Sequence, residues 1–313
     1  MKKNIICIIP TLGNQNNIKK LLTSIQNQTI LPSIIYLILD KKITLTEKQE
    51  FLYFLNKNFS KLNIIFVNNL DYDFQPQRGV SYVRNFGLNL ASKIWKDSDF
   101  LAFIDDDIFL EDNFIFEKIL NHYKKSSNNL LNRSSDILVF PIVINWYSRQ
   151  FENAGIKWIS PFTLKLNFIK PKGEWWSIKM CSLQFLFWPL KIFKNFKFDE
   201  RFKFVYEDLD FTRSLTENWI KILGFSDINV LHFDKKTKKV EKAYVSNPFL
   251  AYQKWKNRIL FAKKHFTLRQ KIIFFSIGFW IHSLYLILLI LLQWNKKWNS
   301  IKAFIKGSFK GLK

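Results

Sequence analysis

The sequence predicts an α/β protein: a mostly parallel sheet with helices on both faces, followed by a C-terminal helical segment that associates with a membrane. Three observations carry this. Strand-length apolar runs alternate with helical patterns up to about residue 140. Three aspartates, Asp105, Asp106 and Asp107, stand together at the end of one apolar run. The last quarter of the chain is basic around a long apolar stretch.

The predicted strands are Ile5–Ile9, Ile34–Leu39, Ile64–Val67, Phe100–Ile104 and Ile137–Phe140, and the helical stretches between them are Asn16–Gln28, Thr46–Asn58, Val80–Lys93 and Asn113–Lys124. Alternation of such lengths argues for a parallel sheet covered on both faces. Ligands of such sheets sit at the carboxyl ends of the strands. Pro10, Thr11, Leu12 and Gly13, then Asp40, then Asp105–Asp107 all fall there. The opening M-K-K-N-I-I-C-I-I-P-T imitates a secretory signal, but its apolar core is short and Pro10 ends it. Ile5–Ile9 therefore reads as a first buried strand.

A hydrophobic content of 48% with 17% aromatics excludes a disordered chain. Two cysteines, Cys7 and Cys181, make no disulfide framework and no metal spacing, which fits a reducing compartment. The net charge is +23, and Lys242 to Lys313 holds 14 Lys and Arg with no Asp or Glu. Such a balance points to nucleic acid or to an anionic membrane surface. No nucleic-acid reader motif is present, and the basic residues gather around an apolar segment, which favours anionic lipid and no nucleic acid.

From about residue 145 to 180 the pattern breaks into loops and short strands rich in Trp. Trp146, Trp158, Trp175 and Trp176 have two readings, stacking on a sugar or packing. A basic helix from Asn247 to His265 follows. Ile272–Leu292 is then 21 residues without a formal charge, about the length that crosses a hydrocarbon core as a helix. Trp294 and Trp298 follow, as interfacial aromatics do. Basic flanks at both ends suit a helix lying in the interface equally well. The tail carries Ile301, Phe304, Ile305 and Phe309 at near-helical spacing and reads as an amphipathic piece for a membrane surface. The organisation expected is a body over 1–240, a basic helical linker over 241–271, and a membrane-associated segment with a basic tail over 272–313.

Adjacent carboxylates repel one another when water is excluded, and a cation offsets that cost. Asp105–Asp107 offers hard oxygen ligands suited to Mg²⁺ or Mn²⁺. Glu207 and Asp208 open a later helix with Asp210 close behind, and a carboxylate there suits a general base. His232 follows the run Ile228–Leu231 and reads either as a further metal ligand or as a packed residue. Arg78 and Arg84 lie at the start of the Val80–Lys93 helix, where guanidinium groups suit phosphate oxygens.

The ordered set I-I-C-I-I-P-T-L-G, the strand ending in Asp40, R-G-V-S-Y-V-R-N-F-G-L, F-I-D-D-D, F-D-E-R-F-K-F-V-Y-E-D-L-D-F-T-R-S-L and V-L-H-F resembles a family-2 glycosyltransferase with the GT-A, Rossmann-like fold. The match spans roughly residues 4–232. The stretch A-Y-Q-K-W-K-N-R-I-L-F-A-K-K-H-F and the G-S-F-K-G-L tail resemble bacterial, rhamnosyltransferase-like members acting on lipid-linked acceptors. The resemblance implies a nucleotide-diphosphate sugar donor, with Thr11, Asp40, Arg84, Asp105 and Asp106 in its pocket. It implies Asp107 and His232 on Mg²⁺ or Mn²⁺, and Asp208 as the base that deprotonates an acceptor hydroxyl, with inversion. It also implies a lipid-linked or glycan acceptor, in cell-surface polysaccharide biosynthesis at the cytoplasmic face of the inner membrane. Two departures stand out. Asp40 is followed by Lys41-Lys42 where the family often has D-G-S, and M-C-S-L-Q-F-L-F-W stands where many members have a Ser-Gly pair. The rival readings are a metal-dependent phosphohydrolase using Asp105 and Asp107, and a membrane-tethered, non-catalytic glycan-binding scaffold.

Overall fold

The computed structural model describes residues 4–94, 99–129, 137–162, 165–233, 247–281, 283–284, 288 and 297–312. In chain order the elements are β1 (Ile5–Thr11), α1 (Gln15–Gln26), β2 (Ile34–Leu39), α2 (Leu45–Asn58), β3 (Ile64–Val67), α3 (Val80–Ser92), β4 (Phe100–Ile104), β5 (Ile108–Phe109) and α4 (Ile115–Asn129). There follow β6 (Ile137–Asn145), β7 (Phe151–Asn153), β8 (Ile156–Ile159), β9 (Leu166–Phe168), β10 (Trp175–Ile178) and β11 (Phe185–Pro189). Next come α5 (Glu207–Glu217), β12 (Lys221–His232), α6 (Pro248–His265), α7 (Leu268–Ile273) and α8 (Lys297–Leu312).

The main sheet runs β10-β12-β6-β11-β4-β1-β2-β3, with β5 and β7 paired at its margin. β3, β2, β1 and β4 are parallel, as the alternation predicts. β11 enters antiparallel between β4 and β6, while β6 and β12 are parallel to each other. The sheet is thus mixed around a parallel half. β1 continues through Pro10 to Thr11, beyond the predicted Ile9. Its ladder to β4 ends at the Ile8–Phe103 pair, so the missing N–H of Pro10 breaks nothing there, and pairing with β2 runs on.

Local chemistry sets the helix starts. Asn14 caps α1 and Thr44 with Glu47 closes a capping box on α2. Asn247 caps α6, with Pro248 at the first helical position. α3 begins at Gly79, whose φ is 110° and whose hydrogen lies where a Cβ would sit 2.5 Å from the Lys203 carbonyl oxygen. Only glycine fits there. Val80 then donates its N–H to that same carbonyl at 3.0 Å, which ties the start of α3 to the loop before α5.

The C-terminal helices pack on the sheet domain through a second apolar cluster, in which Phe202, Tyr206 and Leu209 meet Ile259, Phe261, Phe266 and Phe274. α8 lies against α6, with the Phe304 ring 4.5 Å from that of Trp255 at 90°. This amends the expectation of a surface-lying tail. Phe304 is buried by that contact, while Ile305 and Phe309 remain exposed. Among the described residues no helix is long and apolar enough to cross a membrane. Eight of the 21 residues of Ile272–Leu292, together with Trp294 and the 240/241 boundary, lie outside the described residues.

Gly87 shows how tightly α3 seats on the sheet. A Cβ there would lie 2.6 Å from Ile8 Cγ2 and 2.9 Å from Ile38 Cδ1. Helix propensity favours alanine by about 1 kcal/mol, but overpacking a core costs about 1–3 kcal/mol, so the second effect wins. Gly87→Ala is expected to lower unfolding stability by about 1 kcal/mol or more, read by urea denaturation.

Candidate active site

The strand ends and the start of α5 enclose one cleft of about 730 Å³. Thr11, Asp40, Arg84, Asp105, Asp106, Asp107 and Glu207 line it. Six of the eight residues expected to act together thus share a wall, although they come from four separate parts of the chain. β1 ends at Thr11, whose hydroxyl donates to Asp106 and accepts from the Gly13 N–H. β2 delivers Asp40, whose Oδ1 accepts from the Gln77 N–H at 2.6 Å. Burial raises the Asp40 carboxyl above the ordinary carboxylate range, partly offset by that bond.

Arg84 is the centre of the charge arrangement. Its side chain is 4% exposed, donates from Nη2 to Asp105 Oδ1 at 3.1 Å, and stands with Nη1 3.6 Å from Glu207 Oε1. Even so, burial pushes Asp105 up to about 6, the guanidinium pulling it down and Asp107 raising it. Burial likewise takes Asp106 to about 6, against the Thr11 hydrogen bond. Glu207 rises to about 8 through burial and then the charge of Asp208.

Asp208 lies in the first turn of α5, half-buried, with Oδ1 accepting from the Leu209 N–H at 2.8 Å. Glu207, rather than Asp208, is the member of the pair on the cleft wall. The charge of Asp208 nonetheless reaches Asp105, and burial raises its own carboxyl above the usual range. The two residues before the pair, Val205 (φ 65°) and Tyr206 (φ 74°), are both left-handed. Such geometry costs about 1–3 kcal/mol per residue and persists only where surroundings enforce it. α6 supplies the enforcement. The buried Asn257 Nδ2 donates to the Phe204 and Val205 carbonyls at 2.8 and 2.7 Å, and Arg258 Nε donates to the Tyr206 hydroxyl at 3.1 Å.

His232 ends β12, and its Nε2 lies 3.2 Å from Asp107 Oδ2. Its Nδ1 faces Glu152 Oε2 at 2.8 Å and Gln184 Nε2 at 3.2 Å. Burial disfavours its charge, but the hydrogen bonds to Asp107 and Glu152 outweigh it and raise the imidazole to about 9. Asp107 Oδ1 is buried without a hydrogen-bond partner. A buried carboxylate oxygen left unpaired is the donor chemistry of Mg²⁺ or Mn²⁺, and Asp107 supplies one. Among the described residues no three His, Cys, Asp or Glu are grouped to hold a metal.

Several contributors were not legible in the sequence. Glu152 from the broken Trp-rich region and Gln184 just before β11 orient His232, and Gln77, Lys203, Phe204, Phe249 and Gln253 complete the cleft. Lys203, Phe204, Gln184 and Gln253 fall inside stretches the sequence singled out, but their side chains carried no signal of a site there, and chain distance hid the rest. Arg78 stays outside the cleft lining, stacked over Tyr82 with its guanidinium carbon 4.3 Å from the ring centre and its Nη2 3.4 Å from Glu200 Oε2. None of the four tryptophans lines the cleft. Trp176 packs, donating its indole N–H to the Ala154 carbonyl at 2.9 Å.

No protein-family model matches the chain, and no curated protein matches it. Solved structures do. Staphylococcus aureus TarS 1–349 in complex with UDP-GlcNAc superposes with a TM-score of 0.59 at 17% identity, over 97% of this chain and 81% of that one. GalNAc-T7 with UDP, GalNAc and Mn²⁺ gives a TM-score of 0.58 at 13% identity, over 83% of this chain and 48% of that one, so this chain spans about half its length. Full TarS gives 0.52 at 14% identity. These neighbours are glycosyltransferases with a GT-A-like fold, and at such identity the likeness shows the fold.

The raised Glu207 carboxyl has a stability consequence. Its folded pKa of about 8 exceeds the ordinary 4.5, so the folded state holds a proton that the unfolded state has released. Its contribution is present below about pH 4.5 and is lost as pH rises through about 8. Glu207→Gln is expected to flatten the fall in stability across that window, read as urea midpoints at successive pH values.

Proposed function

We propose that the chain is an inverting glycosyltransferase that moves a sugar from a nucleotide-diphosphate donor to a hydroxyl on a lipid-linked or cell-surface glycan. The observation that carries this is the cleft at the strand ends, which joins an orphaned Asp107 oxygen, the Arg84-paired Asp105 and Glu207 at the start of α5, with Asp208 next to it in the chain. The fold neighbours solved with UDP-GlcNAc and with UDP and Mn²⁺ support it.

Thr11, Asp40, Asp105 and Asp106 line the donor side, where carboxylates suit ribose and base hydrogen-bond donors. Arg84 holds Asp105 in a fixed rotamer and keeps the carboxylate cluster tolerable without water. Asp107 and His232 would hold Mg²⁺ or Mn²⁺, which when bound supplies positive charge against the departing nucleoside diphosphate. Glu152 fixes the imidazole of His232 through Nδ1. Asp208 accepts the proton of the acceptor hydroxyl as its oxygen bonds to the anomeric carbon. The bond to the diphosphate breaks on the opposite face, and the configuration inverts. The raised carboxyl of Asp208 brings its basicity nearer to neutral pH. A phosphohydrolase would need a free aspartate nucleophile, whereas Asp105 is engaged by Arg84.

The same proposal sets the enzyme on the cytoplasmic face of an anionic membrane through its C-terminal helices. Trp280, Ile281, Leu284 and Phe309 are exposed in a region carrying Arg269, Lys271, Lys306 and Lys310. Apolar side chains among cations suit an anionic bilayer interface. The full chain is expected to sediment with phosphatidylglycerol vesicles, less with phosphatidylcholine alone and less as salt rises. Equal sedimentation with both lipids would remove the electrostatic part.

The test of the activity is a thermal-shift panel of UDP, GDP, dTDP, CMP and ADP, each with Mn²⁺, with Mg²⁺ and with EDTA. One nucleotide is expected to raise Tm with metal and less with EDTA, by mass action on the folded state. Asp107→Ala should lose the metal-dependent part. Asp208→Asn should keep the nucleotide shift and lose about 10²-fold or more of transfer. No shift with any nucleotide in folded wild-type protein would overturn the reading.

A further inference from the structure

Two exposed aromatic side chains line the cleft. Phe204 belongs to the strained loop before α5 and Phe249 to the first turn of α6. Both line the cleft, and they are 44% and 56% exposed. Their ring centres are 6.5 Å apart at 40°, which makes a tilted two-ring platform rather than a sandwich closed on itself. Exposed phenylalanines gain nothing from water, and here the backbone is held in a costly conformation while Phe204 is presented. Asn257 pins that backbone at the Phe204 and Val205 carbonyls.

One turn after Phe249, Gln253 also lines the cleft. It is 3% exposed, and its Oε1 is buried without a hydrogen-bond partner. A buried amide oxygen left unpaired costs about 1–3 kcal/mol, so a ligand that donates to it recovers that amount. An apolar platform beside a lone acceptor matches one chemistry well. The C–H face of a pyranose lies on aromatic rings while a ring hydroxyl donates to an oxygen at its edge.

We infer that Phe204, Phe249 and Gln253 form an acceptor subsite that seats a pyranose ring of the glycan receiving the transferred sugar. The inference rests on the transferase reading above, because the Glu207-Asp208 pair follows Phe204 by three and four residues in the chain. Specificity for a ring over an open-chain polyol then follows from the platform, since a polyol presents no flat face.

Saturation-transfer NMR on the full chain tests this, with UDP and Mg²⁺ present and methyl α-D-glucopyranoside, methyl β-D-N-acetylglucosaminide and glycerol as probes. The wild type is expected to saturate uridine and pyranoside ring protons and to leave glycerol unsaturated. Phe249→Ala and Gln253→Met should each reduce the ratio of pyranoside to uridine signal by about fivefold. The uridine signal in the same spectrum shows that the variant is folded. Uridine signal without pyranoside signal in the wild type would overturn the subsite and leave the donor reading intact. Loss of the uridine signal on Phe249→Ala, with a wild-type circular-dichroism melt, would reassign the aromatic pair to the nucleotide base, and equal saturation of glycerol would remove the platform. A folded wild type that saturates no uridine would overturn the transferase reading itself.

Discussion

A guanidinium with 4% of its side chain exposed is the constraint around which this site is built. Removing Arg84 from water costs several kcal/mol unless carboxylates surround it. Asp105 from the end of β4 and Glu207 from the start of α5 surround it, at 3.1 and 3.6 Å. The dependence runs both ways, since neither acid is stable as a buried anion without a nearby cation. Their raised carboxyls record a pairing that is incomplete: two acids and their neighbours share one buried cation. A cluster left in that condition is poised to accept further positive charge. The orphaned Asp107 oxygen lies beside it.

The pairing also explains why α3, β4 and α5 meet. α3 brings Arg84 inward because Gly87, one turn on, lets the helix touch Ile8 and Ile38. Gly79 lets the chain before α3 touch the Lys203 backbone. Without either close approach the guanidinium would stand away from the strand ends. Two glycines in R-G-V-S-Y-V-R-N-F-G-L thus have steric work, while the arginine has the electrostatic work.

α6 adds a second layer of support. Gln253, Lys256, Asn257, Arg258 and His265 are buried, while Lys263 and Lys264 at its end are exposed. Lys256 donates to the Arg201 carbonyl at 2.6 Å, Asn257 to Phe204 and Val205, and Arg258 to Tyr206. Lys264 and His265 close on Asp210. A basic helix that reads as a linker is therefore the clamp on a left-handed pair of residues next to the acids. Its charge made the membrane reading attractive, yet several of those cations are spent on backbone carbonyls and carboxylates inside the fold.

The sequence by itself determined the parallel half of the sheet, because apolar runs of strand length bounded by helical periodicity depend only on neighbours along the chain. β2, β3 and β4 begin and end where the apolar runs do. It also placed Thr11, Asp40 and the aspartate triplet at strand ends, which a parallel sheet gathers on one edge. The antiparallel entry of β11, the service of Glu152 and Gln184 to His232, and the seat of Gln253 were decided only by tertiary structure. Each depends on residues far apart in the chain: Glu152 and His232 are separated by 80 positions, and Asn257 and Val205 by 52. Burial and pairing set the charge of a carboxylate and the worth of an amide oxygen. Both are properties of neighbours in space, which no local pattern encodes.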